Sequence, residues 1–95
     1  MIIVGKLKLK DFWHTHPEAR NPLERWIRVV ESAKWGKWTD LKSTFNTASL
    51  VGKRVVFNVG GNKYRLITIV NYRGYLVIIE AALTHHEYDE EKWKR

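Results

Sequence analysis

The chain has 95 residues, which leaves room for one domain over residues 1–95 and excludes a two-domain enzyme. Its composition is 44% hydrophobic and 13% aromatic, enough core-forming residues to exclude a disordered chain, and without cysteine it can form neither a disulfide nor a thiolate metal site. Lys and Arg number 17 against 10 Asp and Glu, a formal charge of +7 that makes polyanions, nucleic acid first among them, the expected partners.

The basic character is uneven. Before Glu87 there are 14 basic and six acidic residues, and Glu87, Asp89, Glu90 and Glu91 fall in the last nine positions. No apolar run approaches the ~20 residues that span a bilayer, so a cytoplasmic protein with no membrane contact is expected.

Met1 to Val4 reads as a short first strand. Leu9, Phe12, Trp13 and His16 then recur at helical spacing, which predicts an amphipathic helix over about 6–16, ended by Pro17. Asn21, Pro22 and Glu24 make a start signal: a capping side chain, proline at the first helical position and a carboxylate three residues after the cap. They predict a second helix over about 22–34, with Leu23, Trp26, Ile27 and Val30 as its apolar stripe, forming a hairpin with the first. Thr39-Asp40-Leu41-Lys42 begins either one more short helical turn or none.

From Lys53 the apolar period changes from 3.6 to 2. Val55, Phe57 and Val59 alternate with Val56 and Asn58, Gly60-Gly61 supplies a tight turn, a strand follows over about 63–71, Arg73-Gly74 turns again, and 75–83 is nearly all apolar. Helices in the first half and a three-stranded meander in the second predict an α+β fold, a helical hairpin on a small antiparallel sheet. The acidic end reads as a short helix or tail.

With Gly60-Gly61 as the whole loop, Asn58 lies opposite Lys63 and Val56 opposite Arg65. Asn58, Lys63 and Arg65 then share one face, while Val55, Phe57, Tyr64 and Leu66 share the other. With Arg73-Gly74 as the second loop, Arg65 lies opposite Ala82 and Lys63 opposite Thr84, so the chain delivers His85 and His86 beside the cations. Only one of two adjacent histidines can face the cluster, and strand parity does not choose between them because the strand ends there. Tyr88 and Asp89 follow, so an imidazole, a phenol and a carboxylate fall within five residues of each other, next to a guanidinium. His14 and His16 point about 200° apart on a helix, and with no complementary ligand spacing neither a metal nor a cofactor is expected.

Two strings carry a resemblance. Val56-Phe57-Asn58-Val59-Gly60-Gly61-Asn62 followed by Tyr64-Arg65-Leu66, and later Thr84-His85-His86-Glu87-Tyr88-Asp89, resemble the HigB family of mRNA interferase toxins, part of the RelE/ParE-like toxin superfamily. Trp35 and Asp40-Leu41-Lys42 extend the similarity upstream. The resemblance implies a toxin of a type II toxin-antitoxin system: an endoribonuclease that needs no metal, cuts mRNA on the ribosome, contacts ribosomal RNA and is restrained by a helix-turn-helix antitoxin of the HigA kind. It implies catalytic roles for Arg65, His85, Tyr88 and Asp89, and RNA contacts at Asn58, with Lys53, Lys63 and His86 as further candidates. Two rivals share the composition: a nucleic-acid-binding module without catalysis, and a ParE-like toxin acting on a protein target such as gyrase.

Overall fold

The computed structural model describes residues 1–94. Strand β1 (Ile2–Val4) leads into helix α1 (Lys6–Thr15), a 3-10 turn (Pro17–Ala19) and helix α2 (Arg20–Ser32). Helix α3 (Trp38–Thr44) precedes strands β2 (Ser49–Val51), β3 (Arg54–Val59), β4 (Tyr64–Asn71) and β5 (Leu76–Thr84). Helix α4 (His85–Asp89) and a 3-10 turn (Lys92–Lys94) close the described chain. The α+β arrangement is the expected one. The sheet is larger than the predicted meander: its five strands lie in the order β1-β5-β4-β3-β2, with β1 parallel to β5 and every other pair antiparallel.

Helix α2 starts earlier than its sequence signal. The 3-10 turn opens with Pro17, and the chain is already helical at Arg20, so Asn21 sits inside the first turn and no side chain caps the helix. A capping residue needs non-helical backbone, which Asn21 no longer has. Glu24 pairs instead with Arg20, Oε1 to Nε at 2.6 Å.

One face of the sheet carries the core. Phe57 is fully buried on β3 among the rings of Trp26 (5.2 Å between centroids), Phe45 (5.2 Å) and Trp35 (6.4 Å), so α2 and the segments around α3 all close on it. Leu9 from α1, Leu23 and Val30 from α2, Leu41 from α3, and Leu66, Val77 and Ile79 from β4 and β5 complete the layer. Because side chains alternate along a strand, burying Phe57, Val59, Tyr64 and Leu66 against the helices turns Asn58 and Arg65 to the opposite face.

Tyr64 ties that layer to the 3-10 turn by donating its hydroxyl to Glu18 Oε1 at 3.0 Å. Burial first, and the Glu18 carboxylate second, push the Tyr64 phenol above its ordinary range. Glu18 is held below its ordinary 4.5, first by a backbone N–H bond, then by the Tyr64 hydroxyl, with His16 and Lys63 adding positive potential. A carboxyl with a depressed folded value stabilises the fold above its ordinary titration range, and that stabilisation is lost as pH falls through the depressed value. Thermal melts from pH 7 down to pH 2 are therefore expected to show a shallower acid-side loss in Glu18→Gln than in the unaltered protein.

Candidate active site

Hairpin geometry brings the polar residues together. The β3–β4 connection spans residues 60–63, with Gly60, Gly61 and Asn62 all at positive φ, so Asn58 lies opposite Arg65, two residues further along β4 than a two-residue loop gives. The displacement is even, so Asn58 and Arg65 keep their predicted face, while Lys63 falls in the turn outside the ladder and the expected pairing of Asn58 with Lys63 is replaced by Asn58 with Arg65. Gly60 is required twice over: its φ is +67°, and a Cβ there would stand 3.0 Å from the Tyr64 ring. Lys63 ends the turn, exposed, and its backbone carbonyl accepts from the chain at the end of β5.

In the second hairpin, Asn71 to Thr68 pair with Leu76 to Ile79 in the predicted register, and then the ladder slips. Thr68 lies opposite Ile79 but Ile67 lies opposite Ala81, so Glu80 is the extra residue of a β-bulge. Arg65 consequently lies opposite Leu83, not Ala82, and Thr84 opposite Tyr64, not Lys63. Glu80 is not idle: its Oε1 lies 2.7 Å from Arg54 Nε, an ion pair that joins β3 to β5 across β4.

The bulge sets where β5 ends and α4 begins. His85 N–H donates to Lys63 O at 2.9 Å, the last rung between the two segments. At Thr84 a capping box then starts α4: Thr84 Oγ1 accepts from Glu87 N–H at 3.2 Å, and Glu87 Oε1 accepts from Thr84 N–H at 2.9 Å. The helical turn separates the two histidines. His85 Nδ1 lies 2.9 Å from Asp89 Oδ2, four residues on, which fixes the imidazole and leaves Nε2 unengaged. His86 has 88% of its side chain exposed and lies 3.9 Å from Glu90, too far for a hydrogen bond.

Arg65 is the centre of the cluster. It is only 9% exposed, and its Nη1 donates to the carbonyls of Asn62 at 2.9 Å and Tyr64 at 3.1 Å. The Tyr88 ring lies over its guanidinium carbon at 5.4 Å, and Trp93 stacks on Tyr88 at 5.0 Å while donating its indole N–H to Tyr88 O. Among the described residues no carboxylate lies within 4 Å of this guanidinium. A buried cation normally has an acid for partner. This one has carbonyls and a π-face, and its positive field stays available to an incoming anion.

Two contributors escaped the sequence reading. Asn62 braces both predicted residues, through its backbone carbonyl to Arg65 and its Oδ1 to Asn58 Nδ2 at 3.2 Å. Its place in the glycine turn was the available signal. Trp93 had none, since no helical or strand spacing relates it to Tyr88. Lys53, in the turn before β3, stands apart from the cluster. The five residue steps of strand from Lys53 to Asn58 cover about 16 Å, so the two do not share one phosphate.

A five-stranded sheet under a layer of helices, with a buried arginine unpaired by acid on its other face and a histidine held by a carboxylate just beyond β5, accords with a RelE-like toxin. A model of the family described as "HigB_toxin, RelE-like toxic component of a toxin-antitoxin system" matches residues 19–91, and the chain belongs to that family. The chain is 28% identical over 92 residues to the mRNA interferase toxin HigB of Escherichia coli (strain K12), an alignment covering 94% of this chain and 88% of the relative. The mRNA interferases HigB of Escherichia coli O157:H7 and Shigella flexneri match to the same extent.

Proposed function

We propose that the protein is an mRNA endoribonuclease that cuts on the translating ribosome, works in the cytoplasm without a metal, and is neutralised by a cognate helix-turn-helix antitoxin of the HigA kind. The observation that carries the chemistry is the buried Arg65 guanidinium without an acidic partner, lying on β4 two residues beyond the carbonyl that holds His85. Support for mRNA as substrate comes from family membership and from the activity named for the relatives.

Cleavage of an RNA linkage requires the 2′-hydroxyl to lose a proton as its oxygen bonds to phosphorus, and the 5′-oxygen to gain one as its bond to phosphorus breaks. The products are a 2′,3′-cyclic phosphate and a 5′-hydroxyl. In this reading Arg65 offsets the charge that builds on the phosphoryl oxygens, where a desolvated cation acts most strongly. His85 transfers a proton through Nε2, and Asp89 holds the ring for it. Tyr88 walls the site over Arg65, and its phenol or the Asp89 carboxyl handles the second proton. Asn58 positions the substrate, Lys63 adds charge at the turn, and Lys53 and His86 meet RNA outside the reacting linkage.

Replacing His85 by Ala is expected to lower the cleavage rate about 10²- to 10⁴-fold, and Asp89→Asn to lower it less, since it loosens the ring without removing it. His86→Ala is expected to stay near the unaltered rate. The test is single-turnover cleavage in a translation extract, with the product ends identified chemically. Cleavage that survives His85→Ala, or products ending in 5′-phosphate, would contradict the mechanism.

A further inference from the structure

A cleft of about 560 Å³ opens between α2 and the β3–β4 turn, within the range of small-ligand sites. It exists because β2 pairs with β3 only from Arg54 to Val56, which leaves the edge at Phe57–Val59 uncovered on that side. Trp26, Val29 and Phe45 give it an apolar wall, Arg25 and Arg28 stand on the α2 side, and Asn58 borders it at the other. Both arginines are exposed, neither has a carboxylate within 4 Å among the described residues, and no acidic side chain lines the cleft.

A second observation points to a ligand there. Trp26 is 2% exposed, yet its indole Nε1 is buried with no hydrogen-bond partner, the only buried side-chain nitrogen or oxygen among the described residues in that condition. Buried donors are nearly always satisfied, and one without a partner on a side chain that lines a cleft points to an acceptor from outside the chain, reached once the side chains covering it shift. The charged and unpartnered polar groups at this cleft are thus donors, two guanidinia and an indole N–H, beside an apolar wall. That combination suits a nucleotide: its phosphate meets the arginines, its base lies on the apolar wall, and a base carbonyl or ring nitrogen accepts from Trp26.

We propose that this cleft is a base-reading subsite for the RNA nucleotide neighbouring the cleaved linkage, since β3 at Asn58 borders the cleft along its edge and pairs with Arg65 on β4. The inference rests on the nuclease reading above and adds to it the residues that select where the message is cut. An acidic peptide is the less suitable occupant, because a carboxylate would engage the arginines and leave the apolar wall unused.

The experiment maps the cut positions on one defined mRNA in a translating bacterial extract. It compares the unaltered protein, Arg65→Ala, the double charge reversal Arg25→Glu/Arg28→Glu, and Trp26→Phe, with folding checked by thermal melts. The expected result is a loss of cutting of at least about tenfold in the charge reversal, and a changed distribution of cut positions in Trp26→Phe. If Arg65→Ala abolishes cutting while both cleft variants keep the original positions and rate, the subsite is overturned and the nuclease stands. If the charge reversal cuts normally but is no longer neutralised by the cognate antitoxin, the cleft serves a protein and the subsite is again overturned. If the folded unaltered protein makes no cuts, the nuclease reading itself fails and takes the subsite with it. Should Trp26→Phe prove too unstable to assay, Val29→Phe, which narrows the same wall, gives the same discrimination.

Discussion

Arg65→Ala is expected to lower cleavage about 10²- to 10³-fold, the usual loss when a preorganised group facing the charge of a transition state is removed. Arg65 is held by the Asn62 and Tyr64 carbonyls and covered by Tyr88, so its orientation is set before substrate arrives. The substitution also leaves those two carbonyls without their donor, so the variant must be compared at a temperature where its near-ultraviolet spectrum is native. Arg65→Lys separates charge from geometry: an ammonium restores the charge without a planar group that is anchored through Nη1 to two carbonyls and still presents its other nitrogens, and is expected to recover only part of the rate. Full activity in Arg65→Lys would mean that charge alone matters. Full activity in folded Arg65→Ala would remove Arg65 from the reaction.

Phe57→Ala is expected to cost about 3–5 kcal/mol, the loss for truncating a fully buried aromatic ring. Phe57 is the meeting point of Trp26, Trp35 and Phe45, and no one neighbour can close the space that it leaves. A domain of this size has about 5–15 kcal/mol in total, so the variant is expected to melt roughly 12–40 °C lower. Activity should fall with it, because Phe57 sets the strand parity that aims Asn58 at the open face. Calorimetry at neutral pH measures the loss, and a change under about 1 kcal/mol would show that the ring cluster repacks.

The same parity explains why so much of the site could be read from sequence. The loop after Val59 is longer than a two-residue turn, yet it moved the partner of Asn58 from Lys63 to Arg65, an even step that leaves the face of both Asn58 and Arg65 unchanged. What the sequence hid is local. The bulge at Glu80 shifts the end of β5 by one residue, and its signal was a lone acid in an apolar strand. Strand β2 is three residues long, too short to show a period, and the pairing of β1 with β5 joins segments more than 70 residues apart, which no local pattern reports. The choice between His85 and His86 was undecidable from strand alternation. A helix separates them: each has a carboxylate four residues on, and only His85 comes within hydrogen-bond distance of its own, 2.9 Å against 3.9 Å.

In the proposed function the open face of the sheet cuts mRNA during translation. The most direct test is primer extension on one defined mRNA in a bacterial extract carrying the purified protein, run with translation active and with initiation blocked. Discrete cuts are expected within the reading frame that disappear when initiation is blocked and persist in the presence of a chelator of metals other than the magnesium that ribosomes require. Intact message in the translating extract, with the protein folded and free of antitoxin, would contradict it.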